Sequence, residues 1–230
     1  MNNTESHIKI DENSKITGII DLLKYKACTK QKVYTDIKEV FKKMKKIASD
    51  LANEVDSRIQ AVDTTVDVDY INVSEFEFQI KFSGDIIVFS MHSNVVTFPE
   101  KHILHKSPYI QEDPKRKFFG AIVVYNFLAD SLRYKRMADP GYLLGRLFVN
   151  NELHYSVEGV RQMSFLYPDI AKNILSDMIL QQFIESAMVA SLEIDSEMPP
   201  FEKERVINVH HKLRKNMLGN IQKVGFKMSS

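Results

Sequence analysis

The chain has 230 residues, 44% of them apolar, and its 31 basic side chains nearly balance 30 acidic ones. That composition excludes an intrinsically disordered chain and a globally basic nucleic-acid binder. Cys28 is the one cysteine, which excludes an intrachain disulfide and a cysteine-built zinc site and points to a reducing, cytoplasmic setting. Met1–His7 lacks the basic start and apolar run of a signal peptide. No stretch nears the ~20 apolar residues of a membrane span, so no membrane partner is expected.

Residues 1–15 read as a polar tail. Ile16, Ile19, Ile20 and Leu23 recur at helical spacing and predict a short amphipathic helix over 15–27, followed by a loop at Lys30-Gln31-Lys32. Thr35 or Asp36 can cap the next helix. From there Ile37, Phe41, Met44, Ala48, Leu51, Val55 and Ile59 mark a long helix over 37–60 with Phe41, Leu51 and Val55 buried. Its opposite face carries Lys38, Lys42, Lys43, Lys45 and Lys46, then Asp50, Glu54 and Asp56. That charge order opposes the helix dipole, and a solvated face accounts for it.

Beyond Thr64-Thr65 the period changes to two. Phe76, Phe78, Ile80 and Phe82 alternate with polar residues, as in a strand with one wet face. Turns at Ser83-Gly84-Asp85 and His92-Ser93-Asn94 separate it from strands at Ile86–Met91 and Val95–Phe98, a three-stranded meander closed by Pro99. Residues 99–117 form a long polar connection. Phe118–Phe127 is apolar on both alternations, the mark of a central strand covered on both faces. Residues 128–137 have helical propensity, but Asp139-Pro140-Gly141 suits a hairpin turn, and the strand reading over 131–137 is preferred. Asn150-Asn151 then joins two β-rich runs into a hairpin over 142–158.

The last third reads as helical. Pro168 suits a first helical position, and apolar residues cover most of the circumference from Ile170 to Ile194. Met198-Pro199-Pro200 breaks the chain before a final helix over 202–218. The expected fold is therefore α+β: a single domain spanning 1–230, with an antiparallel sheet of five to seven strands at about 66–160. Helices flank the sheet on both sides in sequence, over 16–61 and 168–218.

Chemistry is sparsely signalled. His102 and His105 stand at a spacing that could share a metal, with Glu100, Glu112 and Asp113 nearby, but no third ligand is fixed, and ordinary loop histidines are the preferred reading. No metal and no cofactor is expected. In the hairpin, a two-residue turn would pair Arg146 with Tyr155. A three-residue turn would instead place Arg146 on a polar face with His154, Ser156 and Glu158, and that register gives the cleaner alternation. His210-His211 reads as one partly buried and one surface histidine. P-loop, dinucleotide, nucleophile-elbow and zinc-protease motifs are absent.

The leading expectation is a non-enzymatic binding or assembly module acting through a protein partner or a homo-oligomer. Its interface would be the 169–194 helix, through Leu180, Ile184, Met188 and Leu192. One alternative is nucleic-acid association through the lysine-rich helices 37–60 and 202–218, using Lys42, Lys43, Lys46, Lys212, Arg214 and Lys215. The other is an enzyme with its site between the 99–117 loop and the 142–158 hairpin.

Overall fold

The computed structural model describes residues 12–160, 163, 169–194, 196–197 and 222–223. Helix α1 (Glu12–Leu22) continues through a π-helical turn (Leu23–Ala27) into α2 (Cys28–Gln60), forming one uninterrupted helical run. The loop expected at Lys30–Lys32 does not exist. Cys28–Gln60 contains neither glycine nor proline, and the buried stripe begins at Thr29 and Val33 before reaching Ile37. Lys32 stands on the outer side of that turn and reaches Asp36 at 2.6 Å and the Asn151 carbonyl at 2.7 Å. Phe41 is buried as expected, whereas Leu51 and Val55 are only half-buried against the core. The small Ala48 and Ala52 take the fully covered positions there.

Six antiparallel strands follow in sheet order identical to chain order: β1 (Val68–Ser74), β2 (Glu77–Phe82), β3 (Asp85–Met91), β4 (Phe119–Leu128), β5 (Tyr142–Asn150) and β6 (Tyr155–Gly159). The protein is thus an α+β structure with one six-stranded antiparallel sheet beside a long N-terminal helix and a C-terminal helix. The strand expected at Val95–Phe98 shrinks to one bridge between Val96 and Phe119. β3 already pairs with β4 as far as Met91 and Ile122, so Val96 merely extends that row by one contact before Pro99. The strand expected over 131–137 is instead helix α4 (Ala129–Arg133) and a turn. Asp130 favours the helix start, and the Ser131 hydroxyl donates to Asp139 at 2.6 Å to close the turn.

One face of the sheet carries Phe78, Ile80, Ile87, Phe89, Ile122, Val124, Leu147 and Val149, all buried beneath α2 and the last long helix, α5 (Asp177–Leu192). Phe78 stacks on Phe89 at 4.6 Å and meets Phe41 of α2 at 5.3 Å. The helix expected from Ile170 is shorter than its apolar run: residues 170–176 form turns and a bridge from Ile174 to His154, and Ser176 caps α5.

The interface expected on α5 is largely internal. Leu180, Ile184 and Met188 are 1%, 0% and 7% exposed within a single chain, and only Leu192, at 64%, faces outward. The helix packs against α2 as well as β3 and β5, so two neighbours rather than one cover it. Two short strands, β7 (Ser196–Glu197) and β8 (Gln222–Lys223), pair separately. The tail 1–11 and the expected helix 202–218, with Lys212, Arg214, Lys215 and His210-His211, lie outside the described residues.

The 99–117 connection is not a bare loop. It folds into a 3-10 turn (Ile103–Lys106), helix α3 (Pro108–Glu112) and a second 3-10 turn (Pro114–Lys117). Tyr109 and Ile110 join Phe119, Ala121, Phe148 and Ile170 in a small second core on the opposite face of the sheet.

Candidate functional site

The site is built where this connection meets the β5–β6 hairpin. Asn150 exchanges backbone hydrogen bonds around a turn of Asn151, Glu152 and Leu153, with Leu153 at φ 60°. Its side-chain oxygen accepts from the backbone N–H groups of both Glu152 and His154, at 3.0 Å each, fixing the three-residue loop. In this register Arg146 lies opposite Glu158 and ion-pairs with it, while Val149 lies opposite Tyr155. Tyr155 points into the main core, so Arg146 and Tyr155 occupy opposite faces. His102 joins Arg146 instead: its ring stacks on Phe98 at 4.2 Å and its Nε2 lies 3.6 Å from Glu158. His105 turns back to the Phe98 carbonyl at 3.0 Å, so the two histidines do not converge. Among the described residues no group of three or more His, Cys, Asp or Glu side chains could hold a metal ion.

A second set of contacts was not foreseen from sequence. The Tyr109 hydroxyl donates to Glu152 Oε2 at 2.8 Å and accepts from the Asn150 amide at 3.0 Å. Arg116 donates to Glu152 at 3.1 Å, to the Tyr109 carbonyl at 2.8 Å and to Glu112 at 3.1 Å. Its guanidinium lies 4.2 Å over the Tyr109 ring, whose other neighbour is the His154 ring at 4.4 Å. His154 Nδ1 is 2.8 Å from the Ile170 carbonyl. Burial above all, with the Glu152 carboxylate, pushes the Tyr109 hydroxyl up to about 12 against the opposing effect of Asn150. Burial raises the Glu152 carboxyl as well, but hydrogen bonds from Tyr109 and Arg116 outweigh it and hold the group below its ordinary value.

These shifts lead away from acid–base catalysis. Tyr109 stays protonated and Glu152 stays ionised across the neutral range, so neither is poised to exchange a proton there. The hydroxyl and the guanidinium both donate to the carboxylate, and their remaining bonds go to Asn150, the Tyr109 carbonyl and Glu112. The arrangement is a clamp between the connection and the hairpin. Only long-range folding brings Tyr109 and Glu152 together, 43 residues apart; the usable local signal was the Asn-Asn-Glu turn alone.

No protein family model, no curated protein and no solved structure matches this chain.

The lysine-rich face of α2 is largely engaged. Lys38 pairs with Glu75, Lys43 lies 3.6 Å from Asp177, and Lys45 reaches Asn72 at 3.0 Å, leaving Lys42 and Lys46 exposed. Carboxylates seated on Lys38 and Lys43 weaken the field that a phosphate backbone would meet there. Helix α1 and the first residue of the π-helical turn after it present the opposite situation. Ile16, Ile19, Ile20 and Leu23 form one stripe, and all four are more than 40% exposed, Ile19 at 57%. Among the described residues no helix is long and apolar enough to cross a membrane.

Proposed function

We propose that this chain is a non-enzymatic assembly module of the cytoplasm that pairs with a second copy of itself through α1. The exposed stripe of Ile16, Ile19, Ile20 and Leu23 carries the reading. Contiguous apolar surface of this kind usually serves an interface. A two-fold pair needs only a surface that complements itself, and an uncharged apolar stripe does so. Internal satisfaction of the Tyr109–Glu152 clamp supports a binding role over catalysis. Cys28, exposed and unpaired in disulfide terms, suits a reducing compartment.

Three helical turns offer less than the roughly 800 Å² per partner of a standard interface, so the pair should be weak and concentration-dependent. Sedimentation velocity over a wide concentration range should show a monomer–dimer equilibrium for the unmutated chain. The double substitution Ile19→Glu, Ile20→Glu should abolish it with the melting temperature unchanged, because neither side chain belongs to the core. A chain that stays monomeric at the highest attainable concentration would overturn the reading. So would capture of that monomer by anionic vesicles, which would assign α1 to a membrane surface.

A further inference from the structure

On the face of the sheet opposite α2 and α5, the 99–117 connection covers only the part around Phe119 and Phe148. Toward β1 and β2 that face is open, Ile86 and Val88 of β3 are buried beside it, and α4 with its following turn forms a wall. The result is a half-open groove of about 910 Å³. This is within the ordinary range of small-molecule sites, roughly 300–1,000 Å³.

Apolar side chains occupy part of a sheet face that should be wet. Ile71, Val73 and Ile86 line the groove from the strands, and Leu128 and Leu132 line it from the α4 side. Ile71, Val73 and Leu132 are large apolar groups left exposed by every described element. The polar lining comes from two places: Gln79, Lys81 and Ser83 on β2 and the turn after it, and Asp130, Arg133 and Arg136 on α4 and its following turn. Lys81 also lines the groove, but Asp67 and Asp69 already balance it. Among the described residues neither Arg133 nor Arg136 has an ion-pair partner; both guanidinium groups instead lie 5.5 Å from the Tyr134 ring. The Arg136 Nε is buried and finds no hydrogen-bond acceptor. A buried donor without an acceptor is costly, and a guanidinium is shaped to receive a carboxylate or phosphate in two-pronged fashion. Asp130 is the acidic side chain in the lining, which leaves two unpaired arginines against one carboxylate.

We propose that this groove binds a single-chain amphiphile with an anionic head, its acyl chain on Ile71, Val73, Ile86 and Leu132 and its carboxylate on Arg133 and Arg136. Apolar side chains beside unpaired guanidinium groups are complementary to both halves of such a ligand. A neutral chain would leave the two guanidinium groups without a counter-charge, and a short anion would leave the apolar side chains bare. The site is remote from the α1 stripe and independent of self-pairing.

The test is calorimetric titration of the full chain with dodecanoate, dodecyl phosphate and dodecanol below their aggregation limits. Saturable dodecanoate binding is expected, with dodecanol markedly weaker. Arg133→Gln, Arg136→Gln should weaken dodecanoate by about tenfold or more, the worth of charge-assisted hydrogen bonds, and leave dodecanol unchanged. Ile71→Ser should weaken both ligands, and circular dichroism should show each variant folded. Tighter binding of dodecyl phosphate than dodecanoate would keep the anionic amphiphile and identify its head as a phosphate. Absence of saturable binding, equal affinity for dodecanol, or undiminished binding by the double arginine variant would overturn the proposal.

Discussion

Asn126 of β4 and Ser191 of α5 meet in the middle of the core, where the Asn126 amide donates to the Ser191 hydroxyl at 2.7 Å and both residues are fully buried. The bond fixes the rotation of α5 on the sheet, since it is the polar contact amid Phe183, Ile184, Ala187 and the strand side chains. The Asn126 carbonyl oxygen has no partner, so the pair is only half satisfied. Ser191→Ala should therefore cost about 1–3 kcal/mol by orphaning the amide as well. Adding Asn126→Leu should recover most of that loss, because an apolar pair of similar shape leaves nothing unsatisfied. Reversible urea unfolding of both variants checks this, and a double variant less stable than Ser191→Ala would refute it.

Gly120 marks the closest approach of α2 to β4. A Cβ placed there would lie 2.6 Å from the Ile37 Cβ. Gly120→Ala should cost about 1–3 kcal/mol by overpacking. Ile37→Ala alone should cost about 2–5 kcal/mol through the cavity it opens. Because the two changes share one space, their combination should cost clearly less than the sum, and strict additivity in denaturant melts would show that the helix does not bear on Gly120.

The clamp has a pH signature with two limits. Tyr109 has a folded value near 12, above its ordinary ~10, so its contribution to stability is full below about pH 10 and disappears as pH rises toward 12. Glu152 is held below its ordinary value, so its contribution is present above the usual carboxylate range and lost as pH falls through the folded value. Between those limits the clamp should be flat. Phenolate absorbance, taken as the difference between the unmutated chain and Tyr109→Phe, should place Tyr109 well above the ordinary phenol value of ~10. Glu152→Gln should bring it down, since no carboxylate then opposes the phenolate. Titration of Tyr109 at the ordinary phenol value would exclude the clamp.

Lys42, Lys43 and Lys46 are exposed, and only Lys43 of the three reaches a carboxylate. Changing all three to glutamine should move stability by no more than about 0.5 kcal/mol. The same variant should behave like the unmutated chain in salt-dependent binding to mixed RNA and DNA. A marked loss of retention would revive the basic face of α2 as a nucleic-acid surface.

What could be read in advance follows from how local each signal is. The alternation of Phe78, Ile80 and Phe82 became β2 because one strand face meets the core and the other does not. The run Phe118–Phe127 gave the central β4 because both its faces are covered, by α2 on one side and partly by the Tyr109 segment on the other. The three-residue hairpin gave the cleaner alternation, and Arg146 does lie opposite Glu158. The errors arose where tertiary neighbours decide. Lys30-Gln31-Lys32 looked like a loop because three polar residues in a row interrupt an apolar pattern, yet Val33 beside them is almost wholly buried. The apolar circumference of α5 suggested a partner, but α2 and the sheet cover it from two sides. Tyr109, Arg116 and Glu152 are ordinary residues in sequence and gain their relation only through the register of the hairpin.

Strands laid down in chain order have a consequence for how the molecule is born. Each of the six strands closes on the one just synthesised, so apart from the long 92–118 connection before β4 the sheet can grow by short loop closures, which favours rapid folding. The helix is a further exception. Val33, Ile37, Phe41 and Met44 leave the ribosome before any strand, and their cover begins with β1 at Val68–Ser74 and is completed by β4 only at Leu128. At about 5–20 residues per second that interval lasts several seconds, during which the apolar stripe of a long amphipathic helix is only partly covered by the first strands. The nascent chain should therefore be most vulnerable to aggregation before its middle third has emerged, and a chaperone that holds residues 28–60 over that window would improve its yield more than one acting on the finished protein.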